Sequence, residues 1–254
     1  MIKKNNYLEL LWVLARTDFN LRFHGSYLGY FWTLLKPLAL FSVLYVVFSV
    51  FMRVTIEHYQ LYLLLGIMLW NFFAEGTMLG TYALSSKVGI LKKIYFPRII
   101  LVFASTLSTF LGLLINLVIF ALFAFFSGFA LSWHVVLFLP LICLLYFFVV
   151  GISLFLSGLY VRFRDVGQIW EVLLQIGFWM TPIIYTVSIV PPRFQPFLFY
   201  NPMTGFIQYA RLLIIEHSVP SFLGAGYLLG STFACFMMGF LLFRSVEYLA
   251  AQEL

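Results

Sequence analysis

Charge is scarce in this sequence. Asp, Glu, Lys and Arg together make up 9% of its 254 residues, where soluble domains carry about 25%. Hydrophobic residues supply 63% and the mean hydropathy is +1.03, which excludes a water-soluble fold and marks an integral membrane protein. Cysteine is nearly missing as well. Cys143 and Cys235 both sit inside apolar runs, as small hydrophobes do, so no disulfide framework organises the chain. No Gly is followed by Lys anywhere. The G-x-x-x-x-G-K-[ST] loop that cradles nucleotide phosphates is therefore missing, and energy for any driven process has to come from another chain. The four histidines, His24, His58, His134 and His217, are scattered over separate segments at membrane boundaries on both sides, an arrangement expected to hold no common metal. The loops also lack the acidic pair or histidine site that a membrane-embedded transferase needs.

What the sequence has in abundance is long apolar runs. Residues 99–127, 135–161 and 218–243 contain no charged side chain, and each run exceeds the roughly 20 residues that cross a bilayer as helix. Runs 30–52, 59–86 and 166–187 qualify once Lys36, Glu75 and Glu171 are admitted. The expectation is an all-α integral membrane protein forming a single domain over residues 1–254. Its six spans fall at about 30–52, 59–84, 99–127, 135–160, 166–187 and 221–243. The runs are apolar on every face, which excludes the alternating strands of a β-barrel. The first apolar run follows about thirty more polar residues, so no removable signal is expected. Lys3, Lys4, Arg16, Arg22, Lys36, Lys87, Lys92, Lys93, Arg98, Arg162, Arg164 and Arg244 all flank one side of these spans. Only Arg53, Arg193 and Arg211 fall on the other, so the positive-inside rule places both termini in the cytoplasm. The net charge of +6 is thereby a topology signal against anionic lipid and not a nucleic-acid surface.

Four stretches stand apart from the spans. Residues 7–24 carry Leu8, Leu11, Trp12, Ala15 and Phe19 at helical spacing, with Glu9, Arg16, Asn20 and His24 turned away, which predicts an amphipathic helix in the interface. In residues 85–95, Val88, Leu91 and Tyr95 recur at helical spacing beside Lys92 and Lys93, offering a partner an apolar stripe. In residues 188–220, prolines punctuate the chain, and Asn201 with Pro202 can cap a helix whose stripe is Met203, Phe206, Ile207, Ala210, Leu213 and Ile214. Two short helices dipping into the outer leaflet are expected there. In the second span, Asn71 and Glu75 give a partly polar face, either a patch in a conduit or an interhelical hydrogen bond. Gly76-x-x-x-Gly80 and Gly226-x-x-x-Gly230 predict close helix approach, within the subunit or across a dimer.

Taken in order, "RFHGSYLGYFWTLLKP", "GIMLWNFFAEG", "LKKIYFPRIIL", "YVRFRDVGQIW", "MTPIIY" and "NPMTGFIQYAR" resemble the membrane subunit of type-2 ABC exporters that move O-antigen, capsule or teichoic acid. The resemblance implies a non-enzymatic permease working as a homodimer in the bacterial inner membrane. It implies two copies of a separate ABC ATPase, which would hold ATP and Mg, so no cofactor is expected in this chain. The cargo would be an undecaprenyl-pyrophosphate-linked polysaccharide. Residues 85–95 would form the cytoplasmic coupling helix, with Lys87, Leu91, Lys92, Lys93, Tyr95 and Arg98 meeting the ATPase, and residues 188–220 the periplasmic gate. Arg16 and Arg22 are expected to grip the pyrophosphate, and Trp70, Asn71, Glu75, Trp179 and Tyr185 to line the conduit. The alternatives are a drug or lipid exporter on the same plan and, less expected, a membrane-embedded glycosyl- or acyltransferase.

Overall fold

Apolar side chains in a membrane have two ways out of water, neighbouring helices or lipid, and the helices of this protein divide between them. The computed structural model describes residues 7–22, 25, 27, 29–53, 56–91, 96–130 and 132–253, and the regular elements there are helical. Five are long and apolar enough to span a bilayer. They are α2 (Trp32–Tyr45, prolonged by a π-helical turn Val46–Phe51), α3 (Tyr59–Tyr82), α5 (Ile99–Phe126), α6 (Val135–Arg162) and α10 (Phe222–Glu253). In α3 the most apolar window is 72% buried, against 11–39% in the other four, so α3 is the hub and the others turn most of their apolar surface outward. It packs against α2, α5, α6, α7 (Val166–Met180) and α9 (Pro202–Ile214). The short helices α4 (Val88–Leu91) and α8 (Gln195–Phe199) lie in connections.

Glycines set the closest approaches. A Cβ at Gly76 would lie 2.7 Å from Val149 Cγ1, and one at Gly80 2.3 Å from Ser153 Cβ, so this small-residue pair seats α3 on α6 inside the subunit. Gly226 and Gly230 have nothing within 4 Å. The closest backbone-to-backbone approach at a glycine of α10 instead uses Gly239, whose Cβ would meet Gly151 O of α6 at 2.1 Å.

A helix forms over most of the stretch expected to be amphipathic, α1 (Tyr7–Leu21), and it lies along α5. Its buried face is rotated from the expected one. Leu14 and Ala15 are buried with Leu10 and Leu11 beside them, while Leu8 and Trp12 are exposed. At the other end, α10 continues past the expected end of the sixth span at residue 243 to Glu253.

The fifth expected span, 166–187, is helical only over its first fifteen residues. Helix α7 stops at Met180 after 15 residues, about 22 Å of rise against a hydrocarbon core of about 30 Å. Pro182 is the reason: it cannot donate to the helix ladder and drives the preceding residue out of helical geometry. Thr181 is accordingly extended, with ψ 135°. The chain from Thr181 to Ile184 is buried yet irregular, so its carbonyls need partners from elsewhere.

Candidate functional site

Those partners come from α3 and α9. Arg211, fully buried on α9, donates from Nη1 to Pro182 O (2.6 Å), from Nη2 to Ile183 O (2.7 Å) and Tyr62 O (3.1 Å), and from Nε to Tyr62 O (3.3 Å). Its guanidinium carbon lies 3.3 Å from the centroid of the Tyr62 ring. Tyr59 Oη donates to Ile184 O (3.1 Å) and Tyr62 Oη to Tyr185 O (3.1 Å). Asn201 caps α9 as expected, accepting from Met203 N at 3.0 Å, and its Nδ2 donates to Thr181 Oγ1. The break after α7 is thus held by a cation on α9. Sequence reasoning took Arg211 only as an outer-side charge. The available signal was its place one residue after Ala210 and four after Ile207, on the apolar stripe itself.

The polar face of α3 opens on a cavity of about 910 Å³ between α2, α3 and α5, with Arg22 in its lining. Arg22 donates from Nη1 to Glu75 Oε1 (2.7 Å) and from Nη2 to Ser108 Oγ (2.7 Å), with side-chain exposures of 19% for Arg22 and 55% for Glu75. Burial lowers the Arg22 pKa, with Glu75 and Asp18 acting in the opposite sense, and the group stays cationic at neutral pH. Lys36, Asn71 and Thr109 line the same space. Thr33 Oγ1 and Asn116 Oδ1 also belong to lining residues, and each is buried with no hydrogen-bond partner. Two cations against one carboxylate, with two unsatisfied polar atoms in the wall, suit an anionic, hydrogen-bonding occupant.

Of the residues expected to act, Arg22, Asn71 and Glu75 meet at this cavity, and Glu75 both pairs and lines it. Trp70 does not reach it; it is buried against Phe73 and Phe178. Trp179 is 61% exposed on α7, and Tyr185 donates to Met180 O at 3.0 Å. Arg16 is exposed on α1, and Arg98 precedes α5. Lys87, expected to face a partner, has a largely buried side chain ion-paired with Asp18. Lys92, Lys93 and Tyr95 lie outside the described residues, as does the side chain of Leu91.

Three of the histidines expected to be dispersed come together. Helix α5 ends in a Schellman turn, Gly128 N to Phe125 O and Phe129 N to Ala124 O, both 3.0 Å, with Gly128 at φ 71°. Phe129 then stacks on His217 (5.4 Å), His217 on His134 (6.4 Å) and His134 on Trp133 (4.2 Å), and His58 meets the edge of Phe129 at 4.9 Å. His58 and His217 adopt left-handed backbone, both at φ 50°. These three belong to the α2–α3, α5–α6 and α9–α10 connections, all expected on the side opposite the termini, and tie them into one column. Among the described residues no His, Cys, Asp or Glu group has metal-holding geometry.

Residues 9–215 match the model of a family described as ABC-2 type transporter. The chain belongs to that family. The matched stretch carries the Arg22 cavity, the turn at Lys87 and the Arg211 clamp, so each belongs to the part of this ABC-2 transporter membrane subunit that the family defines. Relatives include two O-antigen export system permease proteins RfbA of Klebsiella pneumoniae. One is 30% identical over 200 residues, covering 78% of this chain and 77% of the relative, and the other 28% identical over 250 residues, covering 97% and 95%. The same protein of Myxococcus xanthus is 27% identical over 216 residues, covering 84% and 83%.

Proposed function

We propose that this ABC-2 subunit is the channel-forming permease of an exporter that moves lipid-linked polysaccharide of the O-antigen kind out of the cytoplasm. The reading rests on its end-to-end similarity to a permease named for O-antigen export, covering 97% of this chain. A homodimer in the bacterial inner membrane encloses the conduit, each copy being a single domain over residues 1–254. Helix α7 with the irregular run after it acts as the sixth crossing, which keeps both termini cytoplasmic, and residues 188–220 gate the periplasmic exit. Two ABC ATPase subunits dock on residues 85–95 and hold the ATP and Mg; their closure tilts the spans and advances the polymer.

The cavity between α2, α3 and α5 receives the pyrophosphate head of the undecaprenyl carrier. Arg22 suits that task because a guanidinium fork matches a phosphate bidentately. Arg22→Lys keeps the charge but removes one charge-assisted hydrogen bond, about 1.5 kcal/mol, so polymer export is expected to fall roughly tenfold. Unchanged export would remove the head-group role. Changing Lys92 and Lys93 to Glu is expected to abolish co-purification of the ATPase from membranes; full retention would reduce both residues to topology signals. Export of drugs or lipids, the second reading, predicts ATPase turnover that responds to small hydrophobes and not to lipid-linked polymer.

A further inference from the structure

The cavity and the ATPase-facing loop lie on different parts of the chain, yet the turn that ends α1, closed by Arg22 N to Asp18 O at 3.3 Å, reaches both. Asp18 and Arg22 are four residues apart, about 6 Å along the helix and on one face. Arg22 holds Glu75 of α3 and Ser108 of α5. Asp18 holds Lys87, the last residue of the turn Ser85–Lys87 where the loop begins, and Lys87 Nζ also donates to Ser105 Oγ of α5 at 3.3 Å. The Asp18 and Lys87 side chains are only 19% and 11% exposed, so the pair is little screened, unlike a surface bridge. A second cavity of about 210 Å³, lined by Asp18, Arg22, Lys87, Ser105 and Ser108 among others, lies between the two pairs and gives them room to rearrange. Leu14 and Ala15, one turn earlier, fix α1 on α5, so a shift at its last turn is not absorbed by sliding of the whole helix.

From this placement we infer that Asp18 is a positioning residue that reports occupation of the Arg22 cavity to the ATPase. An anion entering the cavity competes with Glu75 for the Arg22 fork. As Arg22 turns toward it, the same helical turn carries Asp18, and Asp18 draws Lys87 and the start of the loop. Substrate binding and nucleotide turnover are then coupled through one ion pair, in both directions. The inference rests on the proposed reading of the cavity and of residues 85–95.

The test uses the whole permease–ATPase complex in lipid nanodiscs, with ATP turnover measured with and without undecaprenyl pyrophosphate and each variant normalised to its own unstimulated rate. Wild type is expected to be stimulated. Asp18→Asn and Lys87→Gln are expected to lose the stimulation, and the exchanged pair Asp18→Lys with Lys87→Asp to recover it, which a merely structural contact would not do. Singles stimulated like wild type overturn the inference, as does an exchanged pair no better than the singles. Should Lys87→Gln fail to assemble with the ATPase, Asp18→Asn against Asp18→Glu carries the test, with loss in the first and retention in the second expected. A wild-type complex that assembles but ignores the lipid overturns the head-group reading itself, and the inference with it.

Discussion

Arg211→Met is expected to abolish export and to lower the thermal midpoint of the purified protein by on the order of 10 °C, for a cost of about 3 kcal/mol. Two effects oppose each other here. Removing a fully buried guanidinium returns its desolvation cost, and Met fills much of its volume. The acceptors, however, are main-chain carbonyls that stay behind. Tyr62 O lies within α3 and keeps helical geometry, but Pro182 O and Ile183 O sit in irregular backbone where Arg211 is their partner. Two buried carbonyls left unpaired cost about 1–3 kcal/mol each, and the lost cation–π contact with Tyr62 adds about 2 kcal/mol when desolvated. The carbonyls win. Arg211→Lys should fall between, because one ammonium cannot span all three acceptors. Gly66→Ala should mimic it more mildly, since its Cβ would lie 2.7 Å from Arg211 Nη2 and 3.3 Å from Ile183 Cγ2. A midpoint unchanged in Arg211→Met would show that the irregular run finds other donors.

The same arrangement explains which parts of the fold were legible in the sequence. Runs without charge announce membrane helices, and α3, α5 and α6 begin and end within a few residues of expectation. Hydropathy is blind, however, to a backbone break whose carbonyls are satisfied by a distant side chain, so the run over 166–187 reads as one span although Pro182 ends its helix. Apolar character also fails to say which face of α1 is buried. Leu14 meets α5 while Leu8 and Trp12 face outward, and lipid accepts the second group as readily as protein accepts the first. Asn71 and Glu75 were visible as a polar face because they share one helix at a spacing of one turn. Arg22, Lys36, Thr33 and Asn116 reach the same cavity from three other segments, and that convergence depends on helix pairing no local pattern encodes. The histidine column is hidden for the same reason, being assembled from three connections far apart in sequence.

Gly239→Ala is expected to be as damaging as a large core deletion elsewhere, although it adds a single carbon. The new Cβ would stand 2.1 Å from Gly151 O, and the reciprocal Cβ at Gly151 2.7 Å from Phe236 N. Both obstacles are backbone, so no rotamer change relieves them, and α6 and α10 must separate. Between membrane helices no hydrophobic driving force compensates for the gap, because lipid is as apolar as the partner; what holds them is close van der Waals contact. Overpacking costs about 1–3 kcal/mol in soluble cores, and the rigid obstacle puts this site at the upper end, about 3 kcal/mol, read as a lowered midpoint and poor recovery from membranes. Gly226→Ala and Gly230→Ala provide the contrast. They belong to the same helix and to the more recognisable small-residue motif, but nothing lies within 4 Å of either, so each should stabilise by up to about 1 kcal/mol through helix propensity alone. Equal damage at all three positions would mean that the motif seats a second copy of the chain, and a neutral Gly239→Ala would mean that α6 and α10 do not cross on their glycines.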